Sequence, residues 1–167
     1  MKRIINVLFA AFLLSLLSTT YASAQWTLGG LGYAEGLAVV HDGKNGWVGK
    51  WGYIDKKGKL VIPCKWESAD NFSEGLASVQ DDNYKWGFID KTGKVVIPCK
   101  WKFAGKFSEG LASVKDANEK WGFIDKTGKV VIPCQWEMVH DFDEGVAAVL
   151  DANNTWYLID KTGKIVK

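Results

Sequence analysis

A fifteen-residue string, Lys85-Trp86-Gly87-Phe88-Ile89-Asp90-Lys91-Thr92-Gly93-Lys94-Val95-Val96-Ile97-Pro98-Cys99, returns at Lys120 to Cys134. A close variant occupies Lys50 to Cys64, and a truncated one runs from Thr155 to Lys167. Trp51, Trp86, Trp121 and Trp156 are each 35 residues apart. A fixed period of this length means that one supersecondary unit is copied along the chain. A copy this small cannot bury its apolar face alone and has to stack on its neighbours.

Cys64, Cys99 and Cys134 close successive copies, which gives units at 25–64, 65–99, 100–134 and 135–167. The second and third units are identical at 28 of 35 positions. The first carries four extra residues between Gly36 and Trp51, around Asp42-Gly43-Lys44-Asn45-Gly46, and the last stops before the Ile-Pro-Cys of its sisters. These four units leave no room for a separate catalytic domain.

The residues before the units read as an export signal. Lys2 and Arg3 precede an apolar run from Ile4 to Leu17, and Ala22-Ser23-Ala24 fits a small-residue cleavage site. The run is short of the ~20 apolar residues that a membrane span needs. Residues 1–24 are therefore expected to be a signal peptide and Gln25 the first residue of an exported chain, with no membrane span after cleavage. Two of the 21 Lys and Arg lie in that segment, which leaves 19 basic residues against 19 acidic ones. This balance lacks the basic footprint of a nucleic-acid binder.

Each unit reads as three short strands. In the second unit they are Gly75–Val79, Trp86–Asp90 and Lys94–Ile97. Asx-rich clusters such as Gln80-Asp81-Asp82-Asn83 favour the first turn, and Asp90-Lys91-Thr92-Gly93 the second, with Gly93 able to take a positive φ. Pro98 removes a ladder donor and ends or edges the third strand. The stretch between units, Lys100 to Gly110, has no clean period and reads as a packed loop pinned by its aromatics. The expected fold is all-β: four tandem units, each a three-stranded antiparallel meander, stacked as an open or curved array. A propeller-like ring is the alternative.

Nine tryptophans are the unusual feature of the composition. Burying one indole stabilises by up to ~4–6 kcal/mol at ~25 cal/mol per Å², so two rings per unit could supply most of its core. The glycine after each strand tryptophan leaves one face open to the close approach of another backbone or ring, and an indole from a neighbouring unit is one candidate. A functional alternative is a ladder of exposed indoles that stack on sugars or peptide aromatics. Trp66, Trp101 and Trp136, in the linking loops, are the candidate rungs. Trp47, on the first-unit insertion, is a further candidate for asymmetric recognition.

Trp-Gly-Phe-Ile-Asp-Lys-x-Gly-Lys-x-Val-Ile-Pro, followed by Phe-Ser-Glu-Gly-Leu-Ala, resembles the WG (or KWG) repeat family of bacterial proteins. The resemblance covers all four units; the last departs from it with Trp156-Tyr157 in place of Trp-Gly. It implies a bacterial exported or surface protein, and it carries over no common activity and no catalytic residues.

Three cysteines in one repeat position fit a small buried side chain after proline. A disulfide between two of them needs Cα atoms within ~7 Å, and isolated cysteines lack the chelate spacing of a metal site. Glu35, Glu74, Glu109 and Glu144, like Asp55, Asp90, Asp125 and Asp160, recur in every unit, whereas acid–base catalysis needs one asymmetric pair. The two histidines, His41 and His140, do not occupy matching positions. No enzyme, cofactor or dedicated metal site is expected. The expected function is an exported, non-catalytic module at the cell envelope that binds a protein, peptide or glycan partner. A self-associating structural component is the alternative.

Overall fold

The computed structural model describes residues 27–28, 32–43 and 49–167. Trp47, the 1–24 segment and most of the 42–46 insertion lie outside the described residues.

Among the described residues, fifteen strands form four antiparallel sheets that follow chain order. The first sheet holds β1 (Thr27–Leu28), β2 (Leu37–His41), β3 (Trp51–Asp55) and β4 (Leu60–Trp66). The second holds β5 (Ser68–Ala69), β6 (Leu76–Gln80), β7 (Trp86–Asp90) and β8 (Val95–Trp101). The third holds β9 (Phe103–Ser108), β10 (Leu111–Lys115), β11 (Trp121–Asp125) and β12 (Val130–Trp136). The fourth holds β13 (Met138–Val139), β14 (Val146–Leu150) and β15 (Trp156–Asp160).

The expected three-strand meander is present, and the linker adds a strand to it. The Lys100–Gly110 stretch read as a loop is mostly strand, with Lys100 and Trp101 ending β8 and Phe103–Ser108 forming β9, and in the second unit Ser68 pairs with Gln80 and Ala69 with Val79. The third strand also runs past its proline to the tryptophan that follows. Pro98 is tolerated because β8 is an edge strand, where its missing N–H is not needed. Each of the first three sheets therefore closes two residues beyond the repeated cysteine.

Both turn types follow from local chemistry. Glu74 (φ 53°) and Gly75 (φ 88°) are the central pair of a two-residue turn, closed by reciprocal backbone bonds between Ser73 and Leu76. At the β7–β8 hairpin the Asp90 Oδ1 accepts from the Thr92 N–H (2.9 Å), the Thr92 hydroxyl (2.6 Å) and the Lys94 N–H (3.1 Å). Asp125 and Asp160 repeat this arrangement.

The core lies between sheets. Leu76, Trp86, Phe88, Ile97 and Trp101 of the second sheet pack on Ala104, Phe107, Ala112, Val114 and Ile124 of the third. Equivalent clusters join the first sheet to the second and the third to the fourth. A ring pair centres each joint: Tyr53–Phe72 at 4.9 Å, Phe88–Phe107 at 4.8 Å and Phe123–Phe142 at 4.8 Å. No such cluster joins the first sheet to the fourth among the described residues, and the array is open.

Polar clasps reinforce the joints. The Gly75 N–H donates to Glu35 Oε2 (3.1 Å) and Lys91 pairs with the same oxygen (2.9 Å). Gly110 and Lys126 hold Glu74 in the same way, and Gly145 and Lys161 hold Glu109. The Ser73 hydroxyl donates to the Phe107 carbonyl and the Ser108 hydroxyl to the Phe142 carbonyl, each at 2.7 Å.

Trp-Gly acquires a specific meaning. Between the pairs Trp86–Trp101 and Phe88–Ile97, β7 advances two residues while β8 advances four, so the Pro98 segment bulges over Gly87. A Cβ at Gly87 would meet the Ile97 carbonyl oxygen at 2.5 Å, the Cys99 nitrogen at 2.7 Å and the Cys99 sulfur at 2.8 Å. The close approach was legible in the sequence, but its partner is the neighbouring strand of the same sheet and not an indole of the next unit. Tyr157 stands at the equivalent place in the fourth sheet. There, residues 165–167 pair with β15 and no Pro-Cys bulge overlies it.

Candidate functional site

The strands give each sheet two distinct ends. The glycine end carries the Glu-Gly and Asp-x-x-Gly turns with their clasps. The tryptophan end carries the strand-starting tryptophans, the acidic turns and the start of each linker.

Trp66, Trp101 and Trp136 are not an exposed ladder. Each is the last residue of its strand and is buried, with Trp101 only 7% exposed. The reason is that period-2 alternation runs through the proline: Ile97, Cys99 and Trp101 share one face of β8, and that face turns inward. Their Nε1–H groups are buried, with no acceptor among the described residues. The Lys65 and Lys100 ammonium groups lie 4.8 Å from the Trp66 and Trp101 ring centres and shield them further from solvent.

Among the described residues the exposed aromatics are Tyr33, Tyr84, Phe103 and Trp156, and of the strand-starting tryptophans Trp156 is exposed, Trp51 and Trp121 half-buried and Trp86 buried. Phe103, the first residue of β9, sits between Trp86 (5.3 Å, tilted) and Trp121 (5.4 Å, edge-on) and is itself 41% exposed. Trp86 is buried and Trp121 half-buried, with the Lys115 ammonium 5.8 Å from the Trp121 ring centre. One sheet further on, Trp156 is 47% exposed and lies 5.4 Å from the His140 ring. Met138 holds the position of Phe103 in the fourth sheet and is also exposed, while Ser68 holds it in the second. The signal that could have found Phe103 is its departure from the repeat, since an aromatic at a position that is serine and methionine elsewhere is not explained by a shared core.

Ion pairs flank this row. Lys102 and Lys115 both pair with Glu119, Lys120 pairs with Glu137, and Lys50 pairs with Glu67 and Asp82. Lys102 and then Lys115 hold the Glu119 carboxyl down at about 2. The row is thus an apolar strip with charges of both signs at its border, a surface suited to a polypeptide segment with an aromatic or aliphatic anchor.

The repeated carboxylates and thiols are occupied or muted. The Thr92, Thr127 and Thr162 hydroxyls hold Asp90, Asp125 and Asp160 below the usual aspartate range. Cys64, Cys99 and Cys134 are free and half-buried, and burial pushes each thiol up to about 11, so neutral pH leaves them protonated. No disulfide joins any two of them in the structure. Among the described residues, no three metal-ligating side chains converge.

A model described as "WG containing repeat" matches residues 51–84, 86–121 and 121–156. None of the curated proteins matches the chain. Among solved structures, the computationally designed Ika8 protein is similar over 82% of this chain and 47% of its own, with a TM-score of 0.51 at 12% identity. The designed Ika4 protein is similar over 80% of this chain and 95% of its own, with a TM-score of 0.50 at 11% identity. The WD40 β-propeller domain of Doa1 matches over 81% of this chain and 52% of its own, with a TM-score of 0.44 at 14% identity. The chain thus spans about half the length of Ika8 and of the Doa1 domain, and at these identities the likeness to Ika8 and Ika4 concerns the fold alone. The match to three successive repeats, on sheets joined by one repeated interface, makes the chain a member of the WG-repeat family.

Proposed function

We propose that this protein is an exported, non-catalytic interaction module of the cell envelope, which holds a polypeptide partner at the tryptophan end of its array. The observation that carries this reading is the Phe103 ring, left 41% exposed between two tryptophans inside an otherwise well-packed joint. Aromatic anchors of this kind dominate the energetics of protein interfaces. The non-catalytic part rests on the carboxylates, which serve turns and clasps, and on thiols kept neutral by burial. Export rests on Lys2, Arg3, the apolar run and the Ala22-Ser23-Ala24 site.

A photoreactive phenylalanine analogue at position 103, in cells that export the protein, tests the reading. The expected result is a discrete adduct with an envelope protein, lost on Trp121→Ala and absent when the probe is moved to Thr92 at the opposite end. Equal adducts from both positions, or none from 103, would remove the site. A purified exported chain that still begins at Met1 would remove the signal-peptide part.

A further inference from the structure

Every internal joint uses the same parts. One sheet offers a glutamate in a left-handed turn, and the next receives it with a glycine N–H and a hairpin lysine. The outermost parts of this system face outward. Glu144 has the clasp conformation (φ 50°) and is exposed, and no described residue takes its carboxylate. At the other end, Gly36 (φ 92°) and Lys56 hold the receiving positions, and no described carboxylate occupies them.

The apolar parts tell the same story. Phe72, Phe107 and Phe142 are buried under a ring of the preceding sheet, whereas Tyr33, at their position in the first sheet, is 44% exposed. On the fourth sheet Trp156 is 47% exposed where Trp86 is 7%, and Leu158 is half-buried where Phe88 is fully buried.

We infer that a second copy of this chain docks head to tail on the fourth sheet, with Glu144 of one copy clasped by the Gly36 N–H and Lys56 of the other and Tyr33 set against Leu158. The argument is continuity with the glutamate clasp that the molecule makes three times, together with charge complementarity between Glu144 and Lys56. The contact uses the rim of the first sheet, since Ala38, Val40 and Ile54 are already buried within the chain. Asp143 stands where Ser73 and Ser108 stand, so the end joint, like the first internal one with its Ala34, lacks the hydroxyl-to-carbonyl bond. A heterologous contact of this kind closes into a ring or extends into a filament, according to its rotation.

The test is sedimentation velocity of the exported protein over a wide concentration range. A concentration-dependent dimer or larger species is expected. Glu144→Lys and Lys56→Glu should each raise the dissociation constant by about tenfold or more, and the double variant, which restores opposite charges across the joint, should recover most of it. Both side chains are exposed, and unchanged circular dichroism would show that the variants fold. A wild-type protein that stays monomeric throughout, or a double variant no better than either single one, overturns the inference. The interaction-module reading is separable from it: a monomer that still forms its adduct through position 103 ends the second-copy proposal and leaves that reading in place.

Discussion

In the three units that carry the Pro-Cys bulge, the residue on which the sheet depends is the glycine after the tryptophan. At Gly87 even one methyl group would be forced against the backbone of the bulge, which cannot swing aside as a side-chain tip can. Gly87→Ala is expected to destabilise by about 1–3 kcal/mol, the usual cost of overpacking, read as a lower urea midpoint with an unchanged slope. Trp101→Ala removes a buried indole and should cost about 3–5 kcal/mol, again by urea titration, while the position-103 adduct persists in the folded fraction. Trp156, exposed and at the rim, should tolerate the same change with little loss. The sequence does not separate these two tryptophans by type. It does so by phase: Ile97, Cys99 and Trp101 keep a strand alternation that Pro98 conceals. Trp156 meanwhile precedes a tyrosine in a unit without the bulge.

The turns show what the sequence can and cannot carry at the level of elements. Asp-Lys-Thr-Gly announces its hairpin because the aspartate accepts three bonds from its own turn, which is local chemistry. The added strand at Ser68–Ala69 was illegible because two residues have no period, and only the neighbouring strand makes them a ladder. Glutamate at a positive φ in every unit was legible only as recurrence; its reason, the clasp to the next sheet, lies 36 or 40 residues away. The clasps also set an acid limit. Lysine hydrogen bonds hold Glu35 and Glu109 below their ordinary 4.5. Their contribution is therefore complete above pH 4.5 and is lost as pH falls through the lowered folded values. The urea midpoint should fall as pH is taken from 5 to 3, roughly in step with these titrations, and Glu109→Gln should flatten that fall. Ser73→Ala, which deletes a part-buried bond across a joint, should cost about 1 kcal/mol at any of these pH values.

For the whole molecule, stability is a sum of near-equivalent joints and not the property of one centre. Thiol counting with a disulfide-exchange reagent reads this directly. All three cysteines should react at once in denaturant and slowly in the folded array, since each thiol is held near 11. A fast native reaction at Cys64 alone would show that the first sheet opens separately. The clasp also has a genetic corollary. Removing residues 65–99 would bring the Glu35 carboxylate to Gly110 and Lys126, which already receive Glu74 in the same geometry. No new contact would have to be invented. The second and third units are identical at 28 of 35 residues, and unequal crossing-over between such units would give products that differ in the number of sheets without differing in how any sheet is held. Array length is thus a quantity that recombination can tune in whole steps while selection acts separately on the exposed row.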